Sequence, residues 1–233
     1  MRKLGPIQCL EAHPKVEPKE GQQPLTFLLF HGYGADAYDL KSLAEVIQTP
    51  TPTHFLFPQG VLEVPIGPGW TGRAWWPIDI MALQEAALRG EPRDLSRETT
   101  PGIGELRKKV FAAIESLKTP WNQIILGGFS QGAMLATDIF LNAPENPRAL
   151  VSLSGALVNK DEWKALIPRR AGVPFFASHG KMDAVLDHRC SAQLETFLTQ
   201  AGMKGKLFSF NGAHEIPMEA IVRLNEFLKD VAK

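Results

Sequence analysis

Cysteine is scarce in this chain: 233 residues hold only Cys9 and Cys190. The two stand far apart, each in an apolar pattern, with Cys190 on the apolar face of a helical stripe. That is no disulfide framework, and reduced thiols in a reducing compartment are expected. An excess of one charge sign is also lacking. The 25 basic and 25 acidic side chains cancel, which excludes a global field for nucleic acid or an anionic membrane surface. No apolar run approaches membrane-spanning length, and residues 1–8 contain no apolar core of a secretory signal. A soluble cytoplasmic protein is the expectation, with no nucleic-acid partner and no integral membrane segment. Repeats and long linkers are absent as well. At 233 residues the chain can bury a deep core, so a single domain over 1–233 is expected.

The first positive signal comes from glycine and serine. Gly128-Phe129-Ser130-Gln131-Gly132 is a strict G-x-S-x-G. Three fixed positions arise by chance in roughly 0.08 of chains this long, so the flanks decide. Ile124, Ile125 and Leu126 form a buried-strand run before the motif. Ala133, Met134, Leu135, Ala136, Ile139 and Phe140 are helix-compatible after it, and Asn142-Ala143-Pro144 supplies a stop. Strand, serine between glycines, helix is the pattern of a nucleophile elbow. A side chain at either glycine would collide with so sharp a turn. The alternative is a small-residue helix start packed closely on a sheet, and the flanks count against it.

Apolar runs and helical stripes alternate along the rest of the chain. Strands are expected at Ile7–Ala12 (an edge), Leu25–Phe30, 54–57, 148–154, 173–178 and 206–210. Helical spacing marks Leu40 to Ile47, 82–88, Leu106 to Leu117, 161–167, Cys190 to Ala201 and Ile221 to Val231. Residues 58–77 read as a loop loaded with Gly, Pro and Trp. Residues 89–104, polar and broken by Pro92, Pro101, Gly102 and Gly104, are the one candidate for a mobile flap. Such alternation predicts an α/β protein with a doubly wound, mostly parallel sheet and helices on both faces. With the elbow it predicts the α/β-hydrolase fold.

A serine hydroxyl needs a base to take its proton, and the base needs an orienting carboxylate. In this fold the chain order is serine, acid, histidine, and both partners sit just past C-terminal strand ends. Two loops fit: His179-Gly-Lys-Met-Asp183-Ala-Val-Leu-Asp187 and Asn211-Gly-Ala-His214-Glu-Ile-Pro. Ser130, Asp183 and His214 are therefore the candidate nucleophile, acid and base, with Asp187 as a rival carboxylate. A turn-capping aspartate and a solvated loop histidine are the plainer readings of 183 and 214. His13, His54 and His188 lack comparable context, and His179 is expected to hold its loop by hydrogen bonds. A tetrahedral intermediate also needs donors aimed at its oxyanion. The backbone N–H of Gln131 is one candidate; that of Tyr33, between Gly32 and Gly34 after a central strand, is the other. Trp75 and Trp76 either wall a substrate pocket or cover the core beneath a long connection.

These motifs taken together resemble the phospholipase/carboxylesterase family of small serine hydrolases, which includes the acyl-protein thioesterases. The resemblance runs from about Phe27 to the C-terminus. It rests on His31-Gly-Tyr-Gly-Ala-Asp, Arg73-Ala-Trp-Trp-Pro-Ile-Asp, Gly127-Gly-Phe-Ser-Gln-Gly-Ala, Ser178-His-Gly-Lys-Met-Asp-Ala-Val-Leu and Gly212-Ala-His-Glu-Ile. It implies a carboxylesterase that uses no cofactor or metal ion, with Ser130, Asp183 and His214 as triad and Tyr33 and Gln131 as oxyanion donors. The implied substrates are short acyl esters, with thioesters and lysophospholipids as alternatives. A homodimer is a further option, since many family members form one. A binding module without catalysis is the reading from a different class. The chain departs from the thioesterase-like members in carrying Tyr33 where they have Leu, and Trp75-Trp76-Pro77 where they have a Trp-Phe-Asp-like run.

Overall fold

Runs of apolar residues without polar alternation become strands covered on both faces. Leu25–Phe30 (β3) and Ala149–Leu153 (β8) are of this kind, buried at every position. They belong to a computed structural model that describes residues 1–14, 17–18, 20, 23–79, 81–82, 85, 89 and 95–231. Six more strands complete the main sheet: Arg2–Leu4 (β1), Ile7–Ala12 (β2), Thr53–Pro58 (β4), Ile124–Phe129 (β7), Pro174–Gly180 (β9) and Lys204–Phe210 (β10). Their order is β1-β2-β4-β3-β7-β8-β9-β10. β1 and β2 run antiparallel to their neighbours, and the other strands are parallel.

Helices cover both faces. Ile103–Glu115 (α2), Gln131–Asn142 (α3), Lys160–Leu166 (α4) and His188–Gln200 (α5) pack with Leu28, Leu126 and Leu150 on one side. Leu43–Val46 (α1) and Met218–Val231 (α6) pack with Phe27, Leu29 and Ile125 on the other. Alternate residues of β3 and β7 thus feed opposite cores, as the pleat dictates. This is the α/β-hydrolase fold. Among the described residues no helix is long and apolar enough to cross a membrane. Cys9 and Cys190 are buried and in no disulfide.

The connection at 58–77 corrects the sequence reading. It contains a second, two-stranded sheet, Leu62–Gly67 (β5) antiparallel to Trp70–Ala74 (β6), rather than a plain loop. Pro65 and Pro68 mask the strand pattern. The turn at Pro68-Gly69 places Gly69 at φ +76°, a Pro-Gly combination suited to a type II turn. β1 is a further addition: of its three residues only Leu4 is buried, too little for a readable pattern. The helix expected at 82–88 lies outside the described residues apart from 82 and 85. Within the candidate flap, 90–94 also lie outside them. Its described part includes a 3-10 turn at Leu95–Arg97, followed by Thr100, which exchanges hydrogen bonds with the buried Asn159.

Candidate active site

The parallel strands β3, β7, β9 and β10 all end on the same edge of the sheet, and Tyr33, Ser130, Gln131, Asp183 and His214 each follow one of them, whereas Trp75 and Trp76 follow β6 of the second sheet. The sharpest feature there is Ser130. It stands between β7 and α3 with φ 54° and ψ −120°, a conformation a non-glycine residue holds only when its surroundings enforce it. The flanking glycines make it attainable. A Cβ on Gly128 would overlap the Gly132 carbonyl, and a Cβ on Gly132 would overlap the Phe30 carbonyl. The Ser130 N–H donates to Leu153 O at 2.9 Å, tying the turn to β8.

The helix behind the elbow is anchored by buried charge. Arg107 of α2 makes a bidentate pair with Asp138 of α3, at 2.8 and 3.0 Å. Trp163 of α4 donates its indole N–H to the same carboxylate at 2.9 Å. At the C-terminal end of α3, one turn beyond Asp138, the buried Arg170 donates to the carbonyls of Leu141 and Ala143. It thereby places a cation and hydrogen-bond donors on the helix C-terminus.

Asp183 and His214 meet: His214 Nδ1 lies 2.5 Å from Asp183 Oδ2. The two loops that carry them are joined through their backbones, by Lys181 N–H to Phe210 O at 2.9 Å and Met182 N–H to Gly212 O at 3.0 Å. Gly180 allows this approach, because a Cβ there would overlap the Ala213 and Gly212 carbonyls. The imidazole of His214 packs on Phe129, the residue before Ser130, with ring centroids 4.7 Å apart. Asp183 Oδ1 accepts the N–H groups of Val185 and Leu186, at 2.9 and 2.8 Å. Burial alone would raise the pKa of this carboxyl. The bonds from His179, His214 and the Leu186 N–H outweigh burial and hold it well below the usual carboxylate range. The rival carboxylate, Asp187, is spent elsewhere: it caps α5 and pairs with Arg189.

His179 has a larger part in this arrangement than the sequence conveys. It is fully buried, with Nε2 2.8 Å from Leu186 O and 3.0 Å from Asp183 Oδ2. Both neighbours only accept, so Nε2 carries a proton and donates to them. One carboxylate oxygen therefore receives N–H groups from two histidines. His179 Nδ1 is fixed in turn by Ser191 Oγ at 2.6 Å, which lies 2.7 Å from Gly155 O. His179 and Ser191 are twelve residues apart, so no local pattern announces the contact.

The Tyr33 loop passes directly beside the elbow: a Cβ on Gly32 would touch Ser130 Cβ at 3.4 Å. Among the described residues, neither the Tyr33 nor the Gln131 N–H donates to a backbone carbonyl. The loop is braced by the β5–β6 hairpin, through Gly34 N–H to Arg73 O and Arg73 N–H to Ala35 O, both 2.8 Å. Trp75 is buried and donates its indole N–H to His31 O at 2.9 Å. The Gly60 N–H donates to His31 Nε2 at 2.9 Å, so the ring proton sits on Nδ1, which donates to Gly32 O at 2.7 Å. The Gln131 side chain completes the brace, accepting from Trp75 N–H at 3.0 Å and donating to Trp76 O at 2.7 Å. Trp75 is thus part of the frame. Trp76 instead lines a cavity of 390 Å³ with Pro77, Leu95, Thr100, Met134 and Val158, a volume suited to a small ligand. Met134 belongs to the first turn of α3, directly behind Ser130.

Strand order, elbow and edge-clustered loops define an α/β-hydrolase, and the comparisons place the chain within that class. The profile of the Phospholipase/Carboxylesterase family matches residues 11–232. The chain belongs to this family and is a hydrolase. Acyl-protein thioesterase 1 of Neurospora crassa is 22% identical over 228 residues, covering 93% of this chain and 91% of that protein. The Eremothecium gossypii protein of the same name is 29% identical over 212 residues, covering 87% and 86%. Among solved structures, esterase PE8 superposes with a TM-score of 0.76 at 23% identity, over 97% of this chain and 99% of that one. A Bacillus cereus carboxylesterase gives 0.65 at 19%, over 97% and 95%.

Proposed function

We propose that this chain is a carboxylesterase of the serine type, cleaving short acyl esters through an acyl-enzyme. The observation that carries the reading is the pairing of His214 with the buried carboxylate of Asp183 at 2.5 Å, with His214 packed beside the strained Ser130 elbow. Ser130 Oγ attacks the acyl carbon while the open nitrogen of His214, Nε2, takes the hydroxyl proton. Asp183 accepts from Nδ1–H throughout, fixing the tautomer and stabilising the imidazolium as it forms. Its depressed pKa keeps it an acceptor at neutral pH. The Tyr33 and Gln131 N–H groups hold the oxyanion, an interaction worth about 3–4 kcal/mol per donor in comparable sites. The alcohol leaves with the proton from His214. Water then repeats the sequence on the acyl-enzyme and releases the acid. The cavity beside Trp76, which Leu95 and Thr100 also line, takes the acyl chain.

Ser130→Ala should abolish hydrolysis of p-nitrophenyl acetate, a loss on the order of 10⁶-fold in kcat, with the fold intact by circular dichroism. Unchanged turnover would end the proposal. A fluorophosphonate probe should label wild type and leave the alanine variant unlabelled; labelling of neither would favour a binding module.

A second reading has its own support. The curated relatives above are named as acyl-protein thioesterases, which makes thioester cleavage the alternative. Acyl chains of two to sixteen carbons on one leaving group decide between them. Activity that falls beyond short chains supports the esterase; activity that climbs with length supports a long-chain thioesterase or lysophospholipase.

A further inference from the structure

At the opposite end of the sheet from Ser130, two strands bring together residues distant in sequence. β2 and β4 pair antiparallel with Glu11 opposite Leu56 and Ala12 opposite Phe55. One step further, the register sets His13 opposite His54. Glu11 lies on β2 and His13 directly follows its last residue; with the alternation of the strand continued by one step, both point to the same face as His54. His54 lies beside Thr26, at the start of β3, whereas the Ser130 elbow lies past the strand ends. The two imidazoles stand edge to face, centroids 5.9 Å apart and planes at 83°. One ligand atom from each of Glu11, His13 and His54 lies within 4.8 Å of the others.

We infer that Glu11, His13 and His54 form a binding site for a divalent transition ion of the Zn²⁺ type. Two imidazoles and a carboxylate are a ligand set that Zn²⁺ accepts, at about 2.0–2.2 Å per bond, with a fourth position left to water. Tetrahedral bonds of that length put ligand atoms roughly 3.3–3.5 Å apart, so small side-chain rotations close the 4.8 Å spread. His13 is exposed, and Glu11 and His54 are half-buried, so an ion reaches the site without opening the core. Among the described residues neither His13 nor His54 uses a ring nitrogen in a hydrogen bond to protein, so metal binding breaks none there. Glu11 is the contested ligand, because Arg2 Nε lies 2.9 Å from its Oε2. The ion must displace this guanidinium or share the carboxylate with it. The site is independent of the hydrolase chemistry and ties β2 to β4 near the sheet edge.

The test is calorimetric titration of the untagged 233-residue chain with ZnCl₂ at pH 7.5. One equivalent should bind to wild type and equally to Ser130→Ala. His13→Ala and His54→Ala should each weaken binding at least as much as loss of an outer-shell partner commonly does, roughly 10–100-fold. Glu11→Gln should weaken it too, and Arg2→Gln should tighten it by freeing Glu11. A melting-temperature rise with zinc should vanish in both histidine variants. His13 is exposed, so its replacement leaves the fold undisturbed and the result readable. Zinc binding unchanged in both histidine variants, or no binding to wild type at 100-fold excess of metal over protein, overturns the site.

Discussion

The two halves of the candidate active site are built by opposite means. Ser130 is positioned by packing: a strained turn between β7 and α3, and glycines that permit close backbone approach where a Cβ would overlap. Asp183 and His214 are positioned by hydrogen bonding, on loops whose backbones bond to each other and whose carboxylate is saturated by His179, His214 and two N–H groups. The first half should fail as a fold does. The second should fail as a catalyst does.

Substitutions can break or sharpen that contrast. Gly132→Ala forces a methyl into the Phe30 and His31 carbonyls. It should cost more than about 4 kcal/mol, seen as insoluble or unfolded protein. A soluble, active variant would refute packing as the device. Asp138→Asn breaks a buried pair whose aspartate side chain is only 1% exposed. Arg107 keeps Glu162 at 2.8 Å, so a loss of about 1.5–3 kcal/mol is expected, measurable as a lower urea midpoint.

On the loop side the expected losses are kinetic. His179→Phe removes a hydrogen bond to a charged group, worth about 1.5–3 kcal/mol, or roughly 10–100-fold in rate. The loss should fall on kcat with KM nearly unchanged, and His179→Gln, which keeps an N–H donor, should recover part of it. Equal inactivity of the two variants would make the role one of shape alone. The smallest effect is in acid. The Asp183 pKa in the folded chain is below its ordinary 3.8, so its stabilising contribution is complete above the unfolded-state value and fades as pH falls toward the folded one. The stability gap between wild type and Asp183→Asn should therefore narrow from pH 7 to pH 3. A gap that widens contradicts the assignment of that carboxylate as ionised.

What is legible in the sequence follows the same division. Uninterrupted apolar runs such as Leu25–Phe30 and Ile124–Phe129 announce their strands, and chain order then brings the 183 and 214 loops to one edge. The Gly128 and Gly132 spacing announces the elbow, because its constraint is local. The bracing is illegible for the converse reason. Trp75 N–H meets Gln131 Oε1 across 56 residues, Asp138 meets Arg107 across 31, and His13 faces His54 across two strands. No window of sequence contains both partners. The hairpin at 58–77 escapes because Pro65 and Pro68 interrupt its alternation, while its root is held by hydrogen bonds to residues 34 and 35.

That hairpin divides one stretch of chain into a braced root and an exposed tip. Its root, at Arg73 to Trp76, is stitched to the Tyr33 loop and to Gln131, and Ile66 also lies against Gly34 of that loop, whereas its tip presents Trp70, 73% exposed. An engineer grafting foreign specificity onto this scaffold can exchange the Pro68-Gly69 tip wholesale, provided the cut points fall before the stitching begins.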